Sequence, residues 1–319
     1  MTKKISDFIT EDVKTVAVAG HLRPDGDCIG SVTAVSRYLK DLFPALEVRT
    51  FLQDAQEELD FLKEGLQTDG ADGDGTVFDL CILTDVSDAS RIGAGKNAFA
   101  NARHTVVIDH HLSNAGFGDE NYVFPEASSA CEVLCGMMDM EKVSYGTAVS
   151  LFTGLVHDTG VFRYSCTGPQ TLAYASVLIA KGIPFTEIIE DSFVSKPREL
   201  MLFTAEVDLH SCFFEEERVL VGAASLELQD AYGVSYMEIG GVPAHLNETR
   251  EAEVTVFFYE LNEGEWKASV RSHGNVNAAS LAARFGGGGH ARAAGFEWNG
   301  DVQDGVDAVL KAVREARDE

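Results

Sequence analysis

Short apolar runs alternate with helical patterns of apolar residues through the first half of the chain. Uninterrupted apolar runs predict buried strands, which we place at residues 16–19, 48–52, 77–83, 105–108 and 122–124. A helical period of apolar positions follows the first strand, from Ile29 to Leu39, and three more helices are expected at residues 129–138, 146–157 and 170–181. Repeated strand–helix units predict an α/β fold in which the sheet is mostly parallel.

The pattern changes near residue 204, after a polar stretch that contains Ser195-Lys196-Pro197-Arg198. Beyond it we expect antiparallel strands and helices, with strands at residues 219–223, 253–260 and 266–271 and helices at 277–285 and 302–316. The chain is therefore predicted to contain an N-terminal α/β domain over residues 1–185, a linker over residues 186–204 and a smaller C-terminal α+β domain over residues 205–319.

The composition is that of an ordinary globular protein, with 45% hydrophobic and 24% charged residues in a chain of 319. That length is enough for two domains, each with its own core. Apolar runs stay far below the ~18 residues that span a bilayer, and the polar N-terminus does not resemble a signal peptide. We therefore expect a cytoplasmic protein, whose six scattered cysteines are reduced thiols rather than ligands of a structural zinc.

The charge balance limits the partners that the protein can have. Against 25 Lys and Arg residues stand 51 Asp and Glu residues, which gives a net charge of −26. Proteins that coat long nucleic acid use clusters of basic residues to displace counterions from many phosphates. Phosphate chemistry in this chain must therefore be local, through a cation held by carboxylates or through a few arginines in one cleft.

One group of polar residues follows the first predicted strand and precedes the first predicted helix: His21, Asp25 and Asp27, in the segment His-Leu-Arg-Pro-Asp-Gly-Asp. In an open parallel sheet this carboxyl edge is where ligands bind. An imidazole and two carboxylates suit a divalent cation such as Mn²⁺. Taken alone, the segment is equally compatible with a turn and an aspartate helix cap.

The same edge of the sheet is predicted to carry further groups of this kind. Asp85 follows the third strand, Asp109-His110-His111 follows the fourth, and Asp158 lies at the C-terminal end of a helix. A carboxylate at that end of a helix opposes the helix dipole, so its position favours a nearby cation. So many carboxylates in one crevice would repel one another, and two divalent cations are the simplest compensation.

Together these motifs resemble the DHH phosphoesterase superfamily, in both order and spacing. The glycine run at residues 286–289, followed by His290 and then by Ala293-Ala294-Gly295-Phe296, is similar to the DHH-associated C-terminal domain, and Arg271-Ser272 also fits that domain. Within the superfamily, the chain length and the Phe162-Arg163-Tyr164 segment most resemble short bacterial oligoribonucleases that also remove the 3′-phosphate of 3′-phosphoadenosine 5′-phosphate (pAp). The resemblance covers nearly the whole chain.

The resemblance implies a two-metal centre in the N-terminal domain. His21 and Asp25 would bind one ion, Asp27, His110 and Asp158 would bind the other, and Asp85 would bridge both. Asp109 would orient a ligand imidazole, and His111 would act on the scissile phosphate as an acid or a charge stabiliser. Mn²⁺ is the expected ion, with Mg²⁺ or Co²⁺ as substitutes. Two such ions about 3.5 to 4 Å apart lower the pKa of water and neutralise charge during in-line attack on phosphorus.

Substrate-binding residues are expected mainly in the C-terminal domain. Four consecutive glycines before a histidine suggest backbone that approaches a ligand closely, with N–H groups forming an anion nest. Arginine can hold a phosphate through its bidentate guanidinium. The predicted substrate-binding residues are Arg163, Arg271, Ser272, Gly287, Gly288, Gly289 and His290.

These features predict a manganese-dependent 3′→5′ exonuclease of very short single-stranded RNA that also hydrolyses pAp, without long nucleic acid or a membrane as partner. A homodimer is expected from the resemblance only. A soluble phosphodiesterase for cyclic or linear dinucleotides is the alternative, and a catalytically inactive nucleotide sensor is a more distant one. A family II inorganic pyrophosphatase is disfavoured because its lysine-rich motif is missing from the second domain.

Overall fold

The structure is a computed structural model that describes residues 3–53, 57–70, 75–236, 238–273 and 275–318. The chain divides into two compact units, Met1–Ser195 and Lys196–Glu319. The stretch 186–204, predicted as a linker, is largely helical: it contains most of a helix at Phe185–Ile189, a π-helical turn at Glu190–Val194 and the start of a helix at Arg198–His210. Within the described residues, no helix is long and apolar enough to cross a membrane.

The first unit consists of strands joined by helices. Its strands are β1 (Thr15–Ala19), β2 (Glu47–Phe51), β3 (Thr68–Asp69), β4 (Leu80–Thr84), β5 (Thr105–Asp109) and β6 (Glu120–Val123). Its α-helices are α1 (Gly26–Leu42), α2 (Lys96–Asn101), α3 (Ala130–Met137), α4 (Tyr145–Thr159), α5 (Pro169–Ile179) and α6 (Phe185–Ile189). Short 3₁₀ helices lie at Ile5–Phe8, Glu57–Lys63 and Ala89–Arg91.

The strands of this unit form one parallel sheet in the order β3-β2-β1-β4-β5-β6. This confirms the predicted α/β class and the parallel sheet. The apolar runs that predicted β1, β4 and β5 are buried along almost their whole length, as expected for strands covered on both faces. Short strand β3 and helix α2 were not predicted, because neither has a long apolar run.

Helices α1 and α4 pack closely beside the sheet. A Cβ atom at Gly30 would lie 2.6 Å from the carbonyl oxygen of Ser150, and the Thr33 hydroxyl donates to the Ser150 hydroxyl at 2.9 Å. Small residues at these positions let the two backbones approach each other, which larger side chains would prevent. This close packing fixes the N-terminal turn of α1 relative to the C-terminal half of α4.

The outer edge of the sheet is tied to the N-terminal segment through Glu120. Its carboxylate accepts hydrogen bonds from the Tyr122 hydroxyl at 2.6 Å and from Lys3 Nζ at 2.9 Å, and His104 Nε2 lies 3.0 Å from Glu120 Oε1. Tyr122, and then Lys3 and His104, lower the pKa of Glu120 to about 2. These contacts stabilise the ionised carboxylate in the folded state.

We expect Glu120→Gln to lower the melting temperature at pH 7. Because the folded-state pKa of Glu120 lies below its ordinary value of 4.5, this stabilisation is present above about pH 4.5 and is lost as the pH falls toward 2. The side chain is 30% exposed, so solvent screening limits the effect to on the order of 1 kcal/mol. Thermal melts from pH 2.5 to pH 7 should show the difference shrinking with acid, whereas the exposed control Glu126→Gln should show little difference at any pH.

The second unit contains a mixed sheet covered by helices. Its strands are β7 (Cys212–Phe214), β8 (Val219–Ala224), β9 (Val254–Asn262), β10 (Glu265–Ser272), β11 (Gly288–Gly289) and β12 (Ala293–Asn299). Its α-helices are α7 (Arg198–His210), α8 (Leu226–Tyr232), α9 (Val242–Leu246), α10 (Ala278–Ala283) and α11 (Val302–Asp318). The strand order is β11-β12-β10-β9-β8-β7.

Most neighbouring strands of this sheet are antiparallel, as predicted, including the β9–β10 hairpin. The pair β8–β9 is parallel, which differs from the expectation. Parallel neighbours require a crossover connection, and helices α8 and α9 supply it between Ala224 and Val254. One face of this sheet packs against α10 and α11, in a core that includes Val270, Phe296 and Val309.

Candidate metal centre

The strands of the first unit deliver acidic and imidazole side chains to one edge of its sheet. His21 lies two residues beyond β1, Asp85 directly follows β4, and Asp109 is the last residue of β5. Asp25 caps α1, since its Oδ1 accepts a hydrogen bond from the Cys28 amide at 3.1 Å. The carboxyl edge of the parallel sheet thus gathers the residues that the sequence analysis singled out.

Asp85 lies at the centre of this cluster. Its Oδ2 is 3.3 Å from His21 Nε2, whereas its Oδ1 is 3.6 Å from both His110 Nε2 and His111 Nδ1. The residue is buried, with 3% of its surface exposed, and Oδ1 has no hydrogen-bond partner. Its backbone adopts a φ of +58°, a left-handed conformation that is uncommon outside glycine. Strain and an orphaned buried oxygen are both typical of functional sites.

Burial and the neighbouring charges shift the pKa values of Asp85 and the nearby histidines in opposite directions. Burial alone would raise the pKa of Asp85, but the neighbouring His110 and His21 imidazoles hold it well below its ordinary range. Burial alone would lower the pKa of His110, yet Asp85 and Asp27 raise it to about 9. In the same way, burial lowers the pKa of His21, but Cys28, Asp25 and Asp85 raise it above its ordinary value. The site therefore stabilises positive charge.

Asp27 and Asp158 form a group with His110, to which His21 does not belong. His110 Nε2 is 3.2 Å from Asp158 Oδ2. The Asp27 carboxylate is fully buried and accepts hydrogen bonds from the amides of Ala130 at 2.7 Å and Cys131 at 3.0 Å, at the start of α3. Burial and then Asp85 raise the pKa of Asp27 to about 7, and burial and then Asp27 raise the pKa of Asp158 well above its ordinary range. Each carboxylate thus disfavours the ionised form of its neighbours.

His111 is held by a fully buried carboxylate. Asp109 Oδ1 lies 2.8 Å from His111 Nδ1, and Asp109 Oδ2 accepts a hydrogen bond from Asn114 Nδ2 at 2.7 Å. Asn114 also donates to the Val86 carbonyl at 3.0 Å, which ties this loop to the residue after Asp85. The family resemblance implies that Asp109 orients a ligand imidazole; in the structure its partner is the His111 ring. Asn114 was not predicted.

Three groups of side chains place one ligand atom each within 4.8 Å of one another: Asp85 with Asp109, His110 and His111; His21 with Cys28 and Asp85; and Asp27 with His110 and Asp158. Asp85 belongs to the first and second of these groups and His110 to the first and third, so these two residues connect all three groups. The orphaned Oδ1 of Asp85 is a buried anionic atom for which a cation is a suitable partner. The donor set of carboxylate oxygens and imidazole nitrogens fits divalent metal ions.

The turn after α4 is strained beside this cluster. Gly160, Val161 and Phe162 have φ values of +55°, +57° and +63° in succession, and the left-handed region is strongly disfavoured for a β-branched valine. The Thr159 hydroxyl accepts a hydrogen bond from the Phe162 amide at 2.9 Å, which stabilises the turn. Predicted substrate-binding residue Arg163 follows directly, and its side chain is exposed.

His157, which the sequence analysis left outside the ligand set, has a packing role. A Cβ atom at Gly26 would lie 2.1 Å from His157 Cγ, so the ring lies directly against the start of α1. His157 Nε2 lies 3.1 Å from the Ser192 hydroxyl.

All six cysteines are free thiols, as predicted, and four of them are buried.

The remaining predicted substrate-binding residues lie in the second unit. Arg271 is half-buried on β10, where it pairs with Thr255 of β9 and Ala293 of β12, and Nη1 donates to the Val270 carbonyl at 3.1 Å. Ser272 is buried and donates to the Ala291 carbonyl at 3.3 Å. The structure therefore places Arg271 and Ser272 beside the loop that connects β11 to β12.

The glycine run forms a tight hairpin. Gly288 and Gly289 pair with Gly295 and Ala294, and the amide of His290 donates to the Ala293 carbonyl at 2.7 Å. A Cβ atom at Gly287 would lie 2.2 Å from the Gly295 carbonyl oxygen, so only glycine fits there. The amides of Gly286, Gly287 and His290 all donate to backbone carbonyls. The predicted anion nest is therefore not formed by these three amides, because the carbonyls of Ala283 and Ala282 at the end of α10 accept from Gly286 and Gly287, and the hairpin uses the amide of His290.

Comparisons with known proteins agree with this architecture. The DHH family, N-terminal domain, matches residues 15–155, and the DHHA1 domain matches residues 219–317. The chain belongs to the DHH family of phosphoesterases and is a hydrolase acting on phosphoester bonds. DHH phosphoesterases depend on metal ions, which agrees with the cluster of Asp and His side chains.

Similar proteins indicate which branch of the DHH family the chain resembles. It is 30% identical to the bifunctional oligoribonuclease and PAP phosphatase NrnA of Thermus thermophilus, over 94% of this chain and 89% of that protein. It is 26% identical to the Bacillus subtilis protein of the same name, over 94% of both chains. An exopolyphosphatase-related protein from Bacteroides fragilis has the same fold, with a TM-score of 0.84 and 21% identity, over 96% of this chain and 93% of that one.

Proposed function

We propose that the protein is a manganese-dependent 3′→5′ exonuclease of very short RNA, which also hydrolyses pAp to AMP. The observation that carries this proposal is the Asp85-centred cluster of carboxylates and imidazoles, in a chain that resembles bifunctional oligoribonucleases and PAP phosphatases along nearly its whole length. The net charge of −26 supports short substrates, because few phosphates can be bound without a long basic surface. The proposal includes a cytoplasmic location.

We assign the metal ligands as two sets that share Asp85. His21 and Asp25 would hold one Mn²⁺ ion, and Asp27, His110 and Asp158 would hold the other, with Mg²⁺ or Co²⁺ as substitutes. When bound, the two cations supply positive charge that favours ionisation of water and neutralises phosphoryl oxygens. The amides of Ala130 and Cys131 orient the Asp27 carboxylate for this role.

The remaining assigned residues act on the substrate. His111 would donate a proton to the leaving oxygen or stabilise its charge, and Asp109 holds the His111 ring through Nδ1. Arg163 of the first unit, and Arg271, Ser272, His290 and the glycines 287–289 of the second, would bind phosphate and sugar groups. Arginine suits this task because its guanidinium forms paired hydrogen bonds with phosphate. The predicted homodimer stays a prediction, which sedimentation analysis would test.

Hydrolysis of a graded set of substrates tests the proposal. A ladder of 5′-labelled RNA from dinucleotide to about 24 nucleotides would be incubated with the protein, beside pAp, cyclic dinucleotides and pyrophosphate, each with Mn²⁺ or with a chelator. We expect stepwise 3′ shortening of the shortest RNAs and phosphate release from pAp, both abolished by the chelator. Turnover of dinucleotides or pyrophosphate alone would contradict the substrate assignment, and absence of all turnover would contradict the enzymatic one.

Arg271→Ala separates substrate binding from chemistry. We expect KM for a short RNA to rise about 10-fold or more, because one charge-assisted phosphate contact contributes roughly 1.5 to 3 kcal/mol. Hydrolysis of a small artificial phosphodiester, which lacks the distal phosphates, should change little. Arg250→Ala, at an exposed arginine of the same unit outside the loop between β11 and β12, is the matched control. An equal loss on both substrates would remove Arg271 from the substrate-binding role.

A further inference from the structure

A further buried carboxylate, Glu132, lies outside the proposed ligand sets and has no assigned role. It belongs to the first turn of α3, and 9% of its surface is exposed. Its Oε2 accepts hydrogen bonds from the Ser128 hydroxyl at 2.6 Å, the Ser128 amide at 3.2 Å and the Thr171 hydroxyl at 2.6 Å. Ser128 and Thr171 are themselves buried. One carboxylate oxygen therefore joins the segment before α3 to the first turn of α5.

The first turn of α3 is also the turn that contacts Asp27. Ser129 caps the helix, because its hydroxyl accepts a hydrogen bond from the Glu132 amide at 3.0 Å. The next two residues, Ala130 and Cys131, donate their amides to the Asp27 carboxylate. The Glu132 side chain reaches back past the cap to the residue before it. The amides that hold Asp27 therefore belong to the turn that Glu132 closes at both ends.

Thr171 ties this turn to a second helix. Its hydroxyl accepts a hydrogen bond from the amide of Gly168, the N-cap residue of α5, at 3.0 Å, and donates its own proton to Glu132. The hydroxyl is thus held by its own helix while it orients the carboxylate of α3. The N-terminal turns of α3 and α5 are therefore fixed relative to each other through Glu132.

Stability alone is a poor reason to bury a carboxylate at this position. Removing a carboxylate from water costs free energy that hydrogen bonds must offset, and well-packed apolar residues often serve the fold as well as a buried charge does. Hydrogen bonds are directional and weaken steeply when they are bent, so three donors to Oε2 fix the turn more precisely than apolar contacts would. Precise placement matters here because the two amides must meet the Asp27 carboxylate.

We propose that Glu132 is a positioning residue of the metal centre, which acts with Ser128 and Thr171. Together they hold the first turn of α3 so that its amides orient the Asp27 carboxylate toward the ion. This inference rests on the proposed two-metal centre and deepens it. The alternative is a network that only stabilises the fold, in which case Asp27 would bind metal equally well without it.

Three substitutions in the full chain separate these two roles. Thr171→Val removes the hydroxyl while it nearly keeps the shape of the side chain, and Thr171→Ser keeps the hydroxyl. Thr50→Val is the matched control, because Thr50 is also fully buried and donates to a side chain of another element, the Ser36 hydroxyl, at 2.9 Å. Ser36 lies roughly 13 Å along α1 from Asp27, so this control removes a comparable hydrogen bond away from α3.

Amide hydrogen exchange of the metal-free protein, followed by nuclear magnetic resonance, gives the first readout. In Thr171→Val we expect the amides of Ala130 and Cys131 to exchange at least about 10-fold faster relative to the amides of β4, as loss of one hydrogen bond to a carboxylate allows. Thr171→Ser and Thr50→Val should keep the wild-type ratio. An unchanged ratio in Thr171→Val, or an equal change in Thr50→Val, would overturn the proposal.

Titration of the chelator-stripped protein with Mn²⁺ gives the second readout. We expect Thr171→Val to bind one of its Mn²⁺ ions roughly 10- to 100-fold more weakly than the wild type, as when the support of a ligand is lost. Thr171→Ser and Thr50→Val should bind as the wild type does. Wild-type affinity in Thr171→Val, or no recovery in Thr171→Ser, would contradict the positioning role.

A second variant and a second assay keep the outcomes distinct. If Thr171→Val does not fold, Ser128→Ala takes its place in both measurements, because it removes another donor to the same oxygen. RNA hydrolysis measured on the same samples separates this inference from the proposed function. The expected Mn²⁺ pattern without RNA turnover rejects only the substrate assignment, whereas RNA turnover with equal Mn²⁺ affinity in all variants rejects only the role of Glu132.

Discussion

Asp85→Asn should abolish turnover while the protein stays folded. Asparagine has nearly the same shape and tolerates the left-handed backbone of residue 85, so the main change is loss of the charge that we propose is shared by both ligand sets. Losing charge stabilisation of several kcal/mol at the metal centre corresponds to a decrease in kcat of at least about 10³-fold. Steady-state hydrolysis of a short RNA and of pAp with excess Mn²⁺ measures this effect.

Asp119→Asn is the matched control for this substitution, because Asp119 is an exposed carboxylate of the same unit outside the cluster. It should retain activity close to that of the wild type. Circular dichroism of Asp85→Asn should show an intact fold, because asparagine keeps the size and shape of this buried side chain. Appreciable manganese-dependent turnover by Asp85→Asn would be incompatible with a bridging role.

Gly154→Ala should damage the site through packing alone. A Cβ atom at this position in α4 would lie 2.3 Å from Cys131 Sγ and 2.6 Å from Asp27 Oδ1. Both neighbours are buried, so either α4 or the Asp27 carboxylate must move. We expect a loss of about 1 to 3 kcal/mol in the free energy of unfolding and a decrease of Mn²⁺ affinity of roughly 10- to 100-fold, as for a displaced ligand or its support.

Gly146→Ala, near the start of the same helix, is the control for this prediction. There a Cβ atom would meet the end of the flexible Arg37 side chain at 3.3 Å, which can move aside. Alanine also has the higher helix propensity, so Gly146→Ala should be neutral or slightly stabilising. Chemical denaturation and Mn²⁺ titration of both variants give the comparison. Wild-type manganese affinity in Gly154→Ala would show that α4 does not fix Asp27.

The architecture of the first unit could be predicted because short, local sequence patterns indicate its strands and helices. Long apolar runs predicted β1, β4 and β5, and parallel strands necessarily place the residues after them at one edge of the sheet. The proximity of His21, Asp85 and Asp109 therefore follows from strand order and direction alone. The structure does bring these side chains together, and their role in metal binding stays a prediction.

Features that depend on loop geometry were not predictable in the same way. Asn114 lies in the loop after β5, and nothing in its sequence neighbourhood indicates that its side chain turns back to Asp109. Cys28 is a free buried thiol, as predicted, but its hydrogen bond with the His21 amide depends on the turn between β1 and α1 and could not be predicted. The parallel β8–β9 pair depends on the α8–α9 crossover. Strand β12 was not predicted, because it begins among the small residues that follow the glycine run.

The most direct test of the two-metal centre is electron paramagnetic resonance of the protein loaded with Mn²⁺ as the only divalent cation. If Asp85 bridges two ions, the wild type should bind two Mn²⁺ per chain and show a spectrum of exchange-coupled manganese, and Asp85→Asn should lose that coupling. A wild type that binds one Mn²⁺ per chain, or two without magnetic coupling, would contradict the account.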